Sequence, residues 1–246
     1  MKILVCISKT PETTAKISFV NDNKEFNTEG VQYILNPYDE WYALVRAVEL
    51  KEAVGGSVTA INVGPADNDI VIRKALAIGA DDAIRVDTDP QSAMAAAREI
   101  AAQAKEGGYD IIFTGKETID YGGNEVGGMV AELLDLPYIS YANKLEIEGN
   151  TATVSREVEG GTETAKVNTP FVLSAAKGMA EQRIPNMRGI MMAKRKPLNV
   201  VPATGGAEAT ALVSYELPAD KGSVKLIDPE NMDELVRLLK EEAKVL

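Results

Sequence analysis

Between Asp110 and Pro137 the chain reads DIIFTGKETIDYGGNEVGGMVAELLDLP. Ile111–Thr114 is a short apolar run of the kind that forms a buried strand, and the segment from Asn124 has helical patterning. Between them lies Gly115-Lys116-Glu117-Thr118-Ile119-Asp120-Tyr121-Gly122-Gly123. A strand, a glycine-bearing loop and a helix present unpaired backbone N–H groups, at the positive end of a helix dipole, to a phosphate. The loop has neither the G-x-x-x-x-G-K-[ST] nor the G-x-G-x-x-G spacing. Its one lysine, Lys116, faces Glu117, Asp120 and Glu125, so a phosphate here relies on amides and small side chains such as Asn124. A glycine-rich helix start in an ordinary α/β domain reads the same way, and the loop alone leaves both readings open. Tyr121 equally suits stacking on an adenine or a surface position.

A second group of interest is Arg183 and Arg188 flanking Ile184-Pro185-Asn186-Met187. This is either a solvated loop or an apolar tip between arginines that docks on another protein, where Arg and Met are frequent anchors. The basic run Lys194-Arg195-Lys196 is read as a solvated face, or as an orientation patch on an acidic protein.

Little else offers chemistry. The 246 residues contain no histidine and one cysteine. That excludes Ser-His-Asp and Cys-His catalysis, disulfides and cysteine-based zinc sites, and no metal site is expected. Cys6 sits in Ile3-Leu4-Val5-Cys6-Ile7 and reads as a buried thiol. The net charge of −11 argues against nucleic acid or an anionic membrane as the main partner. No segment has the length and apolarity of a membrane span, the first residues lack a signal-peptide shape, and a cytoplasmic location is expected.

The elements that position these residues alternate. Residues 2–7 form a first strand. Asn36-Pro37 reads as a helix start, with Asn as the cap and Pro in the first turn, and Gly55-Gly56 ends that helix. Strand Ser57–Val63 runs into Gly64-Pro65. Then come a helix from Asp67 to Ile78, strand Ala83–Val86, a helix from Gln91 to Lys105, and the strand and helix around the loop. Apolar strands without polar alternation, interleaved with helices, indicate a doubly wound, mostly parallel sheet. Ligands in such sheets bind outside the carboxyl ends of strands, which marks Cys6–Ser8, Asn36–Asp39, Val63-Gly64 and Gly115–Val126. Beyond Pro137 a hairpin is expected around Gly149-Asn150, a second turn at Gly160-Gly161, and a strand Phe171–Ala175. Lys177–Pro202 shows little periodicity. A final helix from Asn231 to Val245, after Asp228-Pro229, carries an apolar face that packs either on its own domain or on a partner subunit.

Taken in order, these segments resemble the β subunit of electron-transfer flavoproteins over nearly the whole chain. The resemblance is carried by MKILVCISKTPE, by Asn36-Pro37-Tyr38-Asp39-Glu40, and by Gly64-Pro65 with Ile72-Arg73-Lys74-Ala75-Leu76-Ala77-Ile78-Gly79-Ala80-Asp81. The loop matches G-[KR]-[QE]-x-[IS]-D and continues to Asn124-Glu125-Val126-Gly127, and Arg183…Arg188-Gly189-Ile190-Met191-Met192-Ala193-Lys194 is similar to the family's recognition loop. The resemblance implies an adenine-nucleotide α-hydrolase-like, Rossmann-like α/β domain over residues 1–200, with a β-hairpin extension and a recognition loop near 180–196. Residues 201–246 would be an extended C-terminal arm ending in a helix on the partner subunit.

It further implies an electron-carrier subunit, not an enzyme. That subunit would pair with an α subunit holding most of the FAD, bind a structural AMP, and dock on acyl-CoA-type or other flavin dehydrogenases. Carried over, Cys6, Asn36, Pro37, Tyr38, Asp39, Val63 and Gly115–Val126 line the nucleotide site, Arg183 lies near the flavin, and Met187 with Arg188 docks on the dehydrogenase. Met187 stands where leucine is frequent in the family, and Thr13 where some members carry an aromatic. A bifurcating class binds a second FAD in place of AMP and tends to read D-G-D-T-A-Q-V-G-P in the loop. Asn124 resembles the AMP class, Val126-Gly127 is shared with the bifurcating class, and Tyr121 competes with a flavin for space. The alternative outside the family is a stand-alone adenine-nucleotide-binding regulatory domain. An adenylate-transferring enzyme lacks the glycine-serine loop and catalytic basic residues that chemistry wants.

Overall fold

Strand β1 (Lys2–Cys6) is apolar from Ile3 onward because both faces of the sheet around it are covered. In a computed structural model, which describes residues 1–208, 210–220 and 222–246, its side chains divide between two cores. Ile3 and Val5 enter one, Leu4 and Cys6 the other. Short strands β2 (Lys9–Pro11), β3 (Phe19–Val20), β4 (Glu25–Phe26) and β5 (Tyr33–Leu35) form two small antiparallel pairs, β2 with β5 and β3 with β4. The alternation then runs α1 (Asp39–Val54), β6 (Ser57–Val63), α2 (Asp69–Ile78), β7 (Asp82–Asp87), α3 (Ala93–Gly107), β8 (Ile111–Gly115) and α4 (Val126–Leu134). Strands β9 (Tyr138–Glu148), β10 (Thr151–Val158), β11 (Gly161–Asn168) and β12 (Phe171–Ala175) follow, then α5 (Met187–Ala193), β13 (Leu198–Pro202) and α6 (Met232–Glu241).

The nine-stranded sheet has the order β11-β10-β9-β12-β8-β1-β6-β7-β13. Every pairing from β9 to β13 is parallel, and β10 and β11 extend one edge as an antiparallel meander. Helices α1 and α2 cover one face, with Leu44, Val48, Ile72 and Leu76 in the core they share with Val5 and Phe113. Helices α3 and α4 cover the other, where Ala97, Ile100, Val130 and Ala131 meet Leu4, Ile61 and Ile112. The chain moves outward from β1 through β6 to β7 and then returns to the far side of β1 as β8. Strand order therefore reverses at β1/β8, where an open α/β sheet leaves a crevice at its carboxyl edge.

Two expectations are corrected. Asn36 and Pro37 do not start α1. The helix begins at Asp39 with Tyr38 in the cap position and no side chain capping it, because the Asn36 amide is committed elsewhere. The segment Lys177–Pro202 is not featureless. It holds α5, capped by the Asn186 side chain accepting from the Gly189 N–H at 2.8 Å, and β13, which pairs in parallel with β7.

Candidate functional site

The carboxyl ends of β1, β6 and β8 open into one cavity of about 680 Å³. Its walls take Cys6, Ile7, Ser8 and Lys9 after β1, and Asn62, Val63, Gly64 and Pro65 at the end of β6. The loop after β8 contributes Gly115, Lys116, Glu117, Thr118, Tyr121, Gly123, Asn124, Glu125 and Val126. Two glycines let these elements close up. A Cβ at Gly115 would stand 2.7 Å from Glu40 Cγ, and one at Gly127 would stand 2.7 Å from Thr114 Oγ1 and 2.8 Å from the Tyr138 hydroxyl. Glycine at Gly127 thus seats the first turn of α4 against the end of β8. The cap residue Glu125 makes no side-chain bond to that turn, so its leading amides lack a side-chain acceptor.

Asn36 lies outside the cavity wall yet shapes it. It is fully buried (0 %), donates from Nδ2 to the Glu117 carbonyl at 3.0 Å, and accepts the Ile119 N–H on Oδ1 at 3.2 Å. Its own N–H goes to the Ser8 carbonyl at 3.1 Å. One residue thus ties the β8 loop, through its side chain, to the end of β1, through its backbone. Asp39 is buried beneath the same loop, and desolvation, partly offset by Lys116, raises its carboxyl. Pro37, Ile119, Asp120 and Gly122 belong to the same two loops without lining the cavity, and Tyr38 is exposed.

Among the described residues the wall has no uncompensated positive charge, and Asp89 and Glu125 add carboxylates to it. Lys9 pairs with Asp67 at 2.5 Å, and Lys116 with Glu117 at 2.9 Å. Glu40, buried in the wall, accepts the Ser8 N–H at 2.6 Å and the Ser8 hydroxyl at 2.7 Å. Burial outweighs these bonds and pushes its carboxyl up to about 8, so the group is largely uncharged at neutral pH. Burial likewise raises the Cys6 thiol, with the Glu40 charge second, which makes Cys6 an inert wall residue. Asn68 donates to Asn62 Oδ1 at 2.9 Å, and Asn62 donates to the Ile7 carbonyl at 2.8 Å. That chain leaves the buried Asn68 Oδ1 without a donor.

Sequence reasoning did not single out Glu40, Asn62 and Asn68 as site residues, nor Leu212 and Tyr215, which reach the cavity from the C-terminal segment. Glu40 stood in a quoted motif, but nothing local marks its burial.

Arg183 is not at this cavity. Its guanidinium grips Glu52 at 2.8 and 3.0 Å, which raises the arginine and lowers the glutamate, and its carbonyl accepts the Trp41 indole N–H at 3.3 Å. Arg73 donates to the carbonyls of Ala193 and Lys196 at 2.8 Å. Lys196 donates to Leu76 and Ala80 at 2.9 and 2.5 Å. These bonds pin both ends of the segment to α1 and α2 while Ile184 and Met187 stand 84 % and 73 % exposed. Arg188 follows Met187 in α5 and is also exposed.

Among the described residues there is no cluster of three His, Cys, Asp or Glu able to hold a metal, and no helix long and apolar enough to cross a membrane. Fold and crevice define a doubly wound α/β protein whose carboxyl edge offers backbone amides, lysines already paired with carboxylates, and a buried thiol. The family model described as "Electron transfer flavoprotein domain" matches residues 24–205. The chain is 35 % identical to the electron transfer flavoprotein subunit beta of Bacillus subtilis, with all of both chains covered. It is 33 % identical to the human protein of that name over all of this chain and 99 % of that one. The match to the Thermoanaerobacterium thermosaccharolyticum protein is 36 % over 92 % and 84 %. The chain belongs to the electron transfer flavoprotein family as a β subunit. It is an electron-carrier subunit, not an enzyme.

Proposed function

We propose that the chain pairs with an α subunit that holds most of an FAD, keeps an AMP in the cavity at the carboxyl ends of β1, β6 and β8, and docks through Met187 on flavin dehydrogenases. The observation that carries this reading is the cavity itself. It lies at the point of strand reversal, its lysines are already paired, and its amides and glycines suit a phosphate that is held and not transferred. The residues fit an adenine nucleotide. Gly115 and Gly127 let the β8 loop and the first turn of α4 pack closely on Glu40 and Thr114, which brings their amides to the cavity, and Glu40 adds little negative charge at neutral pH. The β8 loop and the first turn of α4 would hold the phosphate, with Cys6, Val63 and Asn124 as walls. FAD, when bound, supplies the electron-accepting and electron-donating chemistry. This chain's residues bind, orient and exclude water around it.

Co-expressed with the α subunit, the chain is expected to purify as a yellow 1:1 complex releasing one FAD and one AMP on denaturation. Two FAD and no AMP would assign it to the bifurcating class, and a colourless monomer binding ATP would overturn the reading. The docking part has its own prediction. Met187→Ala is expected to slow electron transfer from the dehydrogenase by about tenfold, as when one apolar anchor of an interface is truncated, with flavin content unchanged. Loss of flavin instead would show that α5 serves the fold.

A further inference from the structure

The C-terminal segment does not leave the domain after β13. Thr204 gives its N–H and hydroxyl to Glu99 at 2.8 and 2.9 Å, and the Ala207 carbonyl accepts from Arg98 at 2.8 Å. Glu208 accepts the Gln91 N–H at 3.2 Å and the Ser92 hydroxyl at 2.6 Å. Having been fastened to α3, the chain supplies Leu212 and Tyr215 to the cavity wall. Tyr215 then reaches the β3–β4 hairpin, where its N–H goes to the Asn23 carbonyl at 2.7 Å. Its ring stacks on Phe19 at 4.5 Å and 5°, and Phe19 meets Phe26 edge-on. Its hydroxyl lies 3.3 Å from that of Tyr121 on the β8 loop, and both tyrosines line the cavity.

We infer that Tyr121 and Tyr215 form a clasp that restricts the cavity to a single nucleotide and selects against ligands extending beyond one nucleotide's length. The inference rests on the adenine-nucleotide reading above. Tyr215 is not a swinging side chain, since stack, N–H and hydroxyl fix it from three directions. Tyr121 comes from a loop whose backbone Asn36 holds. The hydroxyl bridge joins the β8 loop to the C-terminal arm, two segments that both wall the cavity. A mononucleotide is enclosed with the bridge intact. A dinucleotide needs its second half to pass the bridge, which separates the hydroxyls and pulls Tyr215 off Phe19. Loss of that bond and that stack sets the preference, because a specificity is a difference between two affinities.

The test uses the full chain stripped of nucleotide and titrated by calorimetry with AMP and, separately, with FAD. The unaltered chain is expected to prefer AMP, and Tyr215→Ala to lower the FAD-to-AMP ratio of dissociation constants by about tenfold or more. Tyr215→Phe, which keeps the stack and removes the hydroxyl, is expected to lower it by a smaller factor and carries the test if the alanine variant does not fold. Parallel weakening of both ligands, an unchanged ratio, or an unaltered chain that takes FAD as tightly as AMP would overturn the clasp. Failure of the unaltered chain to bind any adenine nucleotide would instead remove the reading beneath it.

Discussion

Asn36→Ala is expected to weaken AMP binding by tenfold or more and to lower unfolding stability by about 1–3 kcal/mol. The substitution removes the donor to the Glu117 carbonyl and the acceptor of the Ile119 N–H together. Both partners belong to the half-buried loop after β8, so part of their lost bonding is recovered from water, which keeps the cost within the range for an ordinary buried amide. The larger consequence is for binding. A loop held by one fully buried side chain presents its amides in a single geometry. Without that tie the loop samples others, and ordering it again costs binding free energy. A tenfold loss corresponds to about 1.4 kcal/mol, which is less than the two bonds are worth when fully buried. Calorimetry with AMP and urea denaturation separate the two effects. A stability loss with unchanged AMP affinity would show that the loop does not hold the phosphate.

The role of Asn36 marks where sequence reading stops. Strands β1, β6, β8 and β12 were legible almost to the residue, because a parallel strand buried on both faces must be a short apolar run between turns. The hairpin at Gly149-Asn150 was legible from its turn chemistry, and the cap of α6 lies at Asn231, where that helix was expected to begin. Asn36 carried an equally local signal, Asn before Pro, and the signal misled. A capping amide and a tertiary amide look alike in sequence, and the partners at Glu117 and Ile119 lie 81 and 83 residues away. Helix α5 was missed because its seven residues span barely two turns and its apolar residues Ile190, Met191 and Met192 are all exposed, so no buried face patterns the sequence. Leu212 and Tyr215 reach the cavity only because Glu99, Arg98 and the α3 start hold the arm, contacts that no periodicity encodes.

Glu40 gives the second large effect, and its sign follows from linkage. Its folded-state carboxyl titrates near 8, far above the ordinary carboxylate range, chiefly through burial and further through the charges of Asp120 and Asp39. Between roughly pH 4.5 and 8 the folded chain therefore holds a proton that the unfolded chain has released. Stability falls as pH rises across that window, by at most about 1.4 kcal/mol per pH unit from this group. The chain has no histidine and burial moves the Cys6 thiol upward, away from neutrality, while the raised Asp39 carboxyl acts in both chains and drops out of their comparison. Glu40→Gln replaces the protonated acid with a neutral group of the same shape. Its carbonyl accepts the Ser8 N–H, and its amide donates to the Ser8 hydroxyl, whose proton is free to turn away. The unaltered chain is expected to lose about 2 kcal/mol more than Glu40→Gln between pH 6 and pH 8, measured by urea denaturation in matched buffers. At pH 8.5 the variant is expected to be the more stable of the two, and AMP affinity, which falls in the unaltered chain as a carboxylate develops in the wall, is expected to stay level in the variant. Equal pH slopes for both chains would mean that Glu40 is ionised in the fold and that the two Ser8 bonds outweigh its burial.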